Sequence, residues 1–118
     1  MLYVVEAGVS PRVVRAYEVA DRGRKLGASR KLIDAGPGTP DGLRVDVDGN
    51  LWIGWGMGED GLDGVSVFDS SGKPIGRIDL PERCANLCFG GLRRNRLFMC
   101  ASTSIYSLYV NTQGAAGG

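Results

Sequence analysis

A short apolar motif occurs three times in this chain, and the distance between its copies restricts the folds that the chain can adopt. The copies are Leu2-Tyr3-Val4-Val5, Leu51-Trp52-Ile53-Gly54 and Leu97-Phe98-Met99-Cys100. Each places a leucine and an aromatic residue before two small or aliphatic residues. They begin at residues 2, 51 and 97, so the repeat is 49 and then 46 residues long. Repeats of about 40–50 residues that contain several strands are typical of β-propeller blades.

The stretch around the second copy shows one repeat most completely. Residues 43–48 alternate apolar and charged side chains, which predicts a half-buried strand. Asp48-Gly49-Asn50 predicts a tight turn, because glycine and asparagine tolerate a positive φ. The strand that follows, Leu51–Trp55, is apolar at nearly every position and is expected to be buried on both faces. Pro40-Asp41-Gly42 places a carboxylate at the entrance to this hairpin.

The other apolar runs predict an all-β fold, a partial β-propeller of about two and a half four-stranded antiparallel blades. We expect one partial propeller domain over residues 1–118. Within it, 1–36 form a blade that lacks its inner strand, and 37–81 form a complete blade. Residues 82–114 form a blade that lacks its outer strand, and 115–118 form a flexible tail. Because such a piece exposes sheet edges, we expect self-association.

Composition excludes several kinds of function. Lysine and arginine number 14 against 13 acidic residues, so charge gives no reason to expect nucleic-acid or membrane binding. The chain has no apolar run long enough to span a membrane and no basic leader, which favours a cytoplasmic location. It contains no histidine, which excludes Ser-His-Asp and Cys-His catalysis from its own residues.

Cysteines and charged clusters have plain structural interpretations. The three cysteines form no Cys-x-x-Cys pair, which argues against a structural zinc site, and Cys88 and Cys100 are expected to act as small apolar strand residues. We expect the acidic set to lie on solvated strand faces and turns: Asp46, Asp48, Asp60, Asp63 and Asp69. The basic set is expected in a solvated loop that precedes a strand over Lys31–Ala35: Arg22, Arg24, Lys25, Arg30 and Lys31.

Several stretches together carry a resemblance to a known family. They are Thr39-Pro40-Asp41-Gly42 with its valine-rich strand, Asp48-Gly49-Asn50-Leu51-Trp52, the run 80–91, residues 97–106 and the ending Val110-Asn111-Thr112-Gln113-Gly114. In order and spacing they resemble the C-terminal part of the gluconolactonase / senescence marker protein (regucalcin) family of six-bladed propellers.

The resemblance implies a metal-dependent hydrolase of sugar lactones such as glucono-1,5-lactone. Family members hold a divalent metal, calcium or in some cases zinc, manganese or magnesium, with a Glu, an Asn and the Asp of the Pro-Asp-Gly motif. Only the last ligand maps here, onto Asp41, as metal ligand and general base. The Glu and Asn are expected upstream of Met1, so we expect the 118 residues alone to be inactive. The implied partner is a small-molecule lactone.

Other interpretations stay open at this point. Pro40-Asp41-Gly42 can be a simple turn in which the aspartate bonds its own backbone. Arg83 and Asn86, at the mouth of the last inner strand, can contact substrate or serve only the loop structure. The chain can also be a non-catalytic propeller fragment that self-assembles, or that binds a partner chain or calcium, because propellers host many functions.

Overall fold

The computed structural model describes residues 1–57 and 59–116, and these residues form three antiparallel sheets and no α-helix. Residues 117 and 118, half of the predicted tail, lie outside the described residues. The first sheet has the order β1-β2-β3, and its strands are β1 (Leu2–Glu6), β2 (Val13–Ala20) and β3 (Lys25–Asp34). The second has the order β4-β5-β6-β7, and its strands are β4 (Leu43–Val45), β5 (Leu51–Trp55), β6 (Gly64–Phe68) and β7 (Pro74–Asp79). The third has the order β10-β9-β8, and its strands are β8 (Cys84–Gly90), β9 (Arg96–Ala101) and β10 (Ile105–Tyr109).

Sheets of three, four and three strands confirm the prediction of an all-β partial propeller with about two and a half blades. Every pairing within a sheet is between strands that follow one another in sequence, so each sheet is a meander. No helix within the described part of the chain is long and apolar enough to cross a membrane.

The second sheet lies in the middle, and both of its faces are covered. One core joins it to the first sheet, with Val14, Ala16 and Ile33 on one side and Leu51, Ile53 and Trp55 on the other. The other core joins it to the third sheet and contains Val65, Val67, Cys84, Leu87, Leu97 and Met99. The expected burial of Leu51–Trp55 on both faces is confirmed, since four of its five residues are buried. The apolar run therefore marks the middle layer.

The basic residues lie mainly on a strand, and the expectation of a loop before residue 31 is wrong. β3 begins at Lys25 and pairs with β2 from Ala20 onward, while Arg22 lies in a 3-10 turn at Asp21–Gly23. The first seven residues of β3 are exposed. A strand held by main-chain bonds and solvated on both faces shows no apolar alternation, so its sequence pattern did not reveal it.

Cys88 and Cys100 are exposed, which corrects the expectation that they are packed as small apolar residues. In the β8–β9 register Cys88 lies opposite Phe98, and Cys100 lies opposite Asn86, so both face away from the core of the third sheet. Their strand positions were expected, but an alternating pattern does not reveal whether a second sheet covers the outer face. All three cysteines are free thiols.

Asp46 corrects the expectation that the acidic set is solvated. Its side chain is only 2% exposed. Oδ1 accepts the N–H groups of Asp48 (3.0 Å) and Asn50 (2.9 Å), and Oδ2 accepts Asn50 Nδ2 and Trp52 Nε1, both at 3.0 Å. The backbone of Asp46 also bridges to Gly114 near the chain's end. The turn is therefore built around a buried carboxylate, and β4 ends three residues before the expected Asp48.

The hydrogen bonds to Asp46 decide its protonation. Burial raises the pKa of this carboxyl, but the bonds donated by Trp52, Asn50 and the Asp48 amide outweigh it, so the net pKa lies below its usual range. A carboxyl whose pKa is lower in the folded state contributes stability above its unfolded pKa. That stability is lost as pH falls through the folded value.

We expect Asp46→Asn to lower the free energy of unfolding by about 2 kcal/mol, because hydrogen bonds to a charged acceptor are among the stronger ones. Urea unfolding followed by tryptophan fluorescence measures this. Asp48→Asn is the control, since the only side chain described as bonding to Asp48 is Thr112, at 3.5 Å. The difference between wild type and Asp46→Asn should shrink as pH falls below about 4. A difference that is constant from neutral to acidic pH would contradict the role of the charge.

Candidate active site

Main-chain hydrogen bonds fix Asp41 at the place where the second and third sheets meet. The N–H of Asp41 donates to the carbonyl of Gly54 in β5 (2.9 Å), and the N–H of Gly54 donates back to the carbonyl of Gly42 (2.8 Å). These bonds continue the β4–β5 ladder beyond the start of β4. The N–H of Gly42 donates to the carbonyl of Ala85 in β8 (2.8 Å). Asp41 is therefore carried by an extended segment that joins two sheets.

Two glycines permit this close approach. A Cβ on Gly42 would lie 2.1 Å from Asn86 Oδ1, and a Cβ on Gly54 would lie 2.6 Å from the carbonyl oxygen of Cys84. Real Cβ atoms do not come so close, so a side chain at either position would push β8 away from the second sheet. The glycine of the Pro-Asp-Gly motif thus has a packing role in addition to any turn preference.

The Asp41 carboxylate forms an ion pair with Arg83, the residue immediately before β8. Arg83 Nη2 donates to Asp41 Oδ2 at 2.5 Å, and the Asp41 side chain remains 44% exposed. Arg83 Nη1 contacts the Met57 sulfur at 2.9 Å. Arg83 Nε is buried and has no hydrogen-bond partner among the described residues. Asp41 therefore faces a positive group across the mouth of the two inner strands.

Asn86 and Cys84 complete the surroundings. Asn86 Oδ1 lies against Gly42 and accepts the N–H of Leu87 at 2.9 Å. Burial raises the pKa of the Cys84 thiol to about 11, and the nearby charge of Asp41 acts in the same direction. Because this thiol stays protonated at neutral pH, it is not a nucleophile here.

The carboxylate oxygens at this mouth are of the kind that a hard cation prefers as ligands. Asp41 offers carboxylate oxygens, of which Oδ2 is paired with the guanidinium of Arg83, while the amide oxygen of Asn86 is engaged by the N–H of Leu87. Among the described residues, however, no three His, Cys, Asp or Glu side chains are grouped so that they could hold a metal ion. The residues therefore fit one ligand position of such a site.

The structure brings together all three residues singled out from the sequence: Asp41, Arg83 and Asn86. Asp41 bonds Arg83, and no bond from its carboxylate to its own backbone is found among the described residues, so the simple-turn interpretation is not what the structure shows. Sequence reasoning missed the ion pair itself and the Met57 contact. The repeat could have indicated that these two residues meet, because Asp41 and Arg83 both lie just before inner strands of successive sheets.

Comparisons of this sequence with known proteins point to one family. A family model described as SMP-30/Gluconolactonase/LRE-like region matches residues 1–103. A pentonolactonase of Haloferax volcanii is 31% identical over 110 residues, which cover 90% of this chain and 32% of that protein. A lactonohydrolase of Aspergillus oryzae is 29% identical over 105 residues, which cover 89% of this chain and 21% of that protein. The chain thus spans between about a fifth and a third of the length of these relatives.

Solved structures agree in fold. A gluconolactonase of Xanthomonas campestris superposes with a TM-score of 0.75 at 31% identity, over 91% of this chain and 33% of that one. A calcium-binding protein, regucalcin, of Agrobacterium tumefaciens superposes with a TM-score of 0.78 at 20% identity, over 96% of this chain and 43% of that one. The second likeness, at this identity, concerns the fold alone.

We expect Gly54→Ala to lower the free energy of unfolding by about 2 kcal/mol, because the added methyl group has to displace the β8 backbone. Gly76→Ala is the matched control, since its nearest neighbouring atom is 3.8 Å from the added carbon. This control should be neutral or slightly stabilising. Thermal unfolding of both variants measures the contrast, and equal midpoints would contradict the close approach of the two sheets.

Proposed function

The chain belongs to the SMP-30/gluconolactonase/LRE-like family, and we propose that it is part of a metal-dependent sugar-lactone hydrolase in which Asp41 is a cation ligand and the general base. The family resemblance inferred from the sequence is thereby confirmed. Lactone hydrolysis is the activity named for its relatives from Haloferax volcanii and Aspergillus oryzae. The proposal transfers that chemistry to this chain.

One observation carries the proposal: a half-exposed carboxylate is held rigidly by main-chain bonds at the mouth of two neighbouring inner strands. A base or ligand whose position the backbone already fixes loses little conformational entropy on reaching the reactive geometry. This pre-positioning favours catalysis. Asp41 is placed by bonds to Gly54 and, through Gly42, to Ala85, while its side chain stays accessible.

The roles of the residues follow from their chemistry. A bound divalent cation would supply Lewis acidity at the lactone carbonyl. Asp41 accepts the proton of the water molecule whose oxygen attacks the carbonyl carbon. The ring C–O bond then breaks, the ring oxygen takes up a proton and becomes a hydroxyl, and the product is a hydroxy acid. Arg83 and Asn86 line the same mouth and are proposed to orient the sugar hydroxyls and the product carboxylate.

Calcium is the proposed metal. An oxygen donor such as the carboxylate of Asp41 suits calcium, magnesium and manganese. The family resemblance implies calcium, with zinc, manganese or magnesium in some members. The further cation ligands are proposed to come from residues outside these 118 or from a second chain.

In a protein or assembly that supplies the remaining cation ligands, we expect Asp41→Asn to reduce lactone hydrolysis by at least about 100-fold, since it removes both the base and a cation ligand. The assay is pH-stat titration with glucono-1,5-lactone and a pentonolactone, with calcium and with a chelator. Asp60→Asn is the control, because Asp60 is an exposed carboxylate in the β5–β6 loop. Hydrolysis that survives both Asp41→Asn and the chelator would rule out the proposed role.

A second candidate, a non-catalytic piece that self-associates, is favoured by the outer face of the third sheet. Ile105 and Tyr109 on β10 are 74% and 70% exposed. In the strand register they share a face with Cys88 and Cys100, which are also exposed. The same face also carries Ser107 and Arg96, whose guanidinium lies over the rings of Phe98 and Tyr109. Its exposed apolar side chains are suited to packing against another sheet.

For this candidate we expect a discrete oligomer in sedimentation velocity, with no lactone turnover. The double substitution Ile105→Ser and Tyr109→Ser should shift the protein to monomer, because it removes apolar surface from the contact. Leu92→Ser is the control, since Leu92 is fully exposed in the β8–β9 turn, away from the sheet face. A wild-type monomer at all accessible concentrations would exclude self-association.

A further inference from the structure

We propose that a second copy of this chain covers the outer faces of the first and third sheets, so that two copies close a ring of six sheets. The proposal rests on the second candidate above, self-association. It adds which faces meet and how many copies take part. The third sheet of each copy packs on the first sheet of the other, and a contact between two third sheets is excluded.

The repeated motif defines two faces on every sheet. Successive strand residues point to opposite sides of a sheet. The first and third motif residues therefore share one face, the odd face, and the second and fourth share the other, the even face. In the second sheet the odd face, with Leu51 and Ile53, packs on the first sheet. Its even face, with Trp52, packs on the third sheet.

Both contacts within the chain join an even face to the odd face of the next sheet. The even face of the first sheet, with Tyr3 and Val5, meets the odd face of the second. The even face of the second meets the odd face of the third, with Leu97 and Met99. This order leaves two faces uncovered within the described residues. They are the odd face of the first sheet and the even face of the third.

The odd face of the first sheet carries apolar residues at positions that are buried in the other two sheets. Leu2 is 42% exposed and Val4 is 37% exposed. The residues at the same motif positions in the second and third sheets are fully buried: Leu51, Ile53, Leu97 and Met99. In both cases an even face covers them. The even face of the third sheet is therefore the surface that suits Leu2 and Val4, and a second copy supplies it.

The charges on the two faces do not oppose this contact. On the first sheet Arg15 Nη1 lies 3.8 Å from Glu6 Oε2, and Lys31 Nζ lies 3.1 Å from Asp34 Oδ2. On the third sheet the guanidinium of Arg96 lies over two aromatic rings of its own face. Burying a charge that already has a partner costs less free energy than burying a free one.

The number of copies follows from the number of sheets. A contact between unlike faces is heterologous, so it either closes a ring or extends as an open chain. Each copy supplies three sheets, and propellers close with about 4–8 blades. Two copies fall within this range, whereas one or three copies fall outside it. In the closed ring both uncovered faces of each copy are used.

Thiol cross-linking of the 118-residue protein tests which faces meet. In Cys88→Ser protein the one exposed thiol is Cys100, on the even face of the third sheet. Packed sheets lie about 10 Å apart, so a bis-maleimide of about that length joins thiols across the contact. We expect covalent dimer only after Val4→Cys is added. Val9→Cys is the matched control, since Val9 is 40% exposed but lies between β1 and β2.

Sedimentation velocity tests the strength and the size of the assembly. Wild type should approach a dimer as concentration rises. Val4→Lys puts an unpaired charge into both contacts of the ring and should raise the dimer Kd by at least about 100-fold. Ile105→Lys should do the same from the third sheet. Val9→Lys and Leu92→Lys are the matched controls and should leave the Kd unchanged, and circular dichroism checks that each variant is folded.

The outcomes separate the ring from the self-association on which it rests. A wild type that stays monomeric at all accessible concentrations refutes both, and the two faces are then left to a different partner. If wild type associates, Val4→Lys has no effect and Cys88→Ser protein cross-links through Cys100 alone, third sheets meet each other. Self-association then stands and the ring is refuted. Growth beyond a dimer, abolished by either lysine variant, refutes closure by two copies.

Discussion

The hydrogen bond from the Gly42 N–H to the Ala85 carbonyl is the contact on which the arrangement of this molecule depends. It joins the entry segment of the second sheet to the inner strand of the third, with 2.8 Å between the nitrogen and the oxygen. It requires glycine at residues 42 and 54, where a side chain would collide with β8. Because this bond fixes the distance between two inner strands, it also fixes where the Asp41 carboxylate and the residue before β8 can meet.

The other end of β4 is fixed in an equally specific way. Asp46 is a buried carboxylate that holds the turn into β5, and the C-terminal segment pairs beside it, with the N–H of Val47 donating to the carbonyl of Gln113 and the N–H of Ala115 to the carbonyl of Val45. A three-residue strand is thus anchored at both ends and covered by a core on each face of its sheet. Asp41, two residues before β4, is therefore carried by a rigid element, as the role proposed for this carboxylate requires.

Family membership and local electrostatics contribute different information about this site. The family match makes lactone chemistry the natural proposal. It says nothing of Arg83, which pairs with the Asp41 carboxylate in this chain. The structure therefore adds a contact at this position about which the family match carries no information.

Local patterns in the sequence determined the all-β class, the repeat, the buried central hairpin and the carboxylate at its entrance, because alternation and turn chemistry act between neighbouring residues. They did not reveal the early start of β3, which no core face marks, or the burial of Asp46 among donors from its own turn. Only the tertiary structure decided that Asp41 meets Arg83, 42 residues later in the chain. Such a meeting depends on how closely and at what twist two sheets pack. In sequence alone, one glycine that allows that packing is part of a turn-like Pro-Asp-Gly and the other is one position of an apolar strand, and neither indicates a neighbouring sheet.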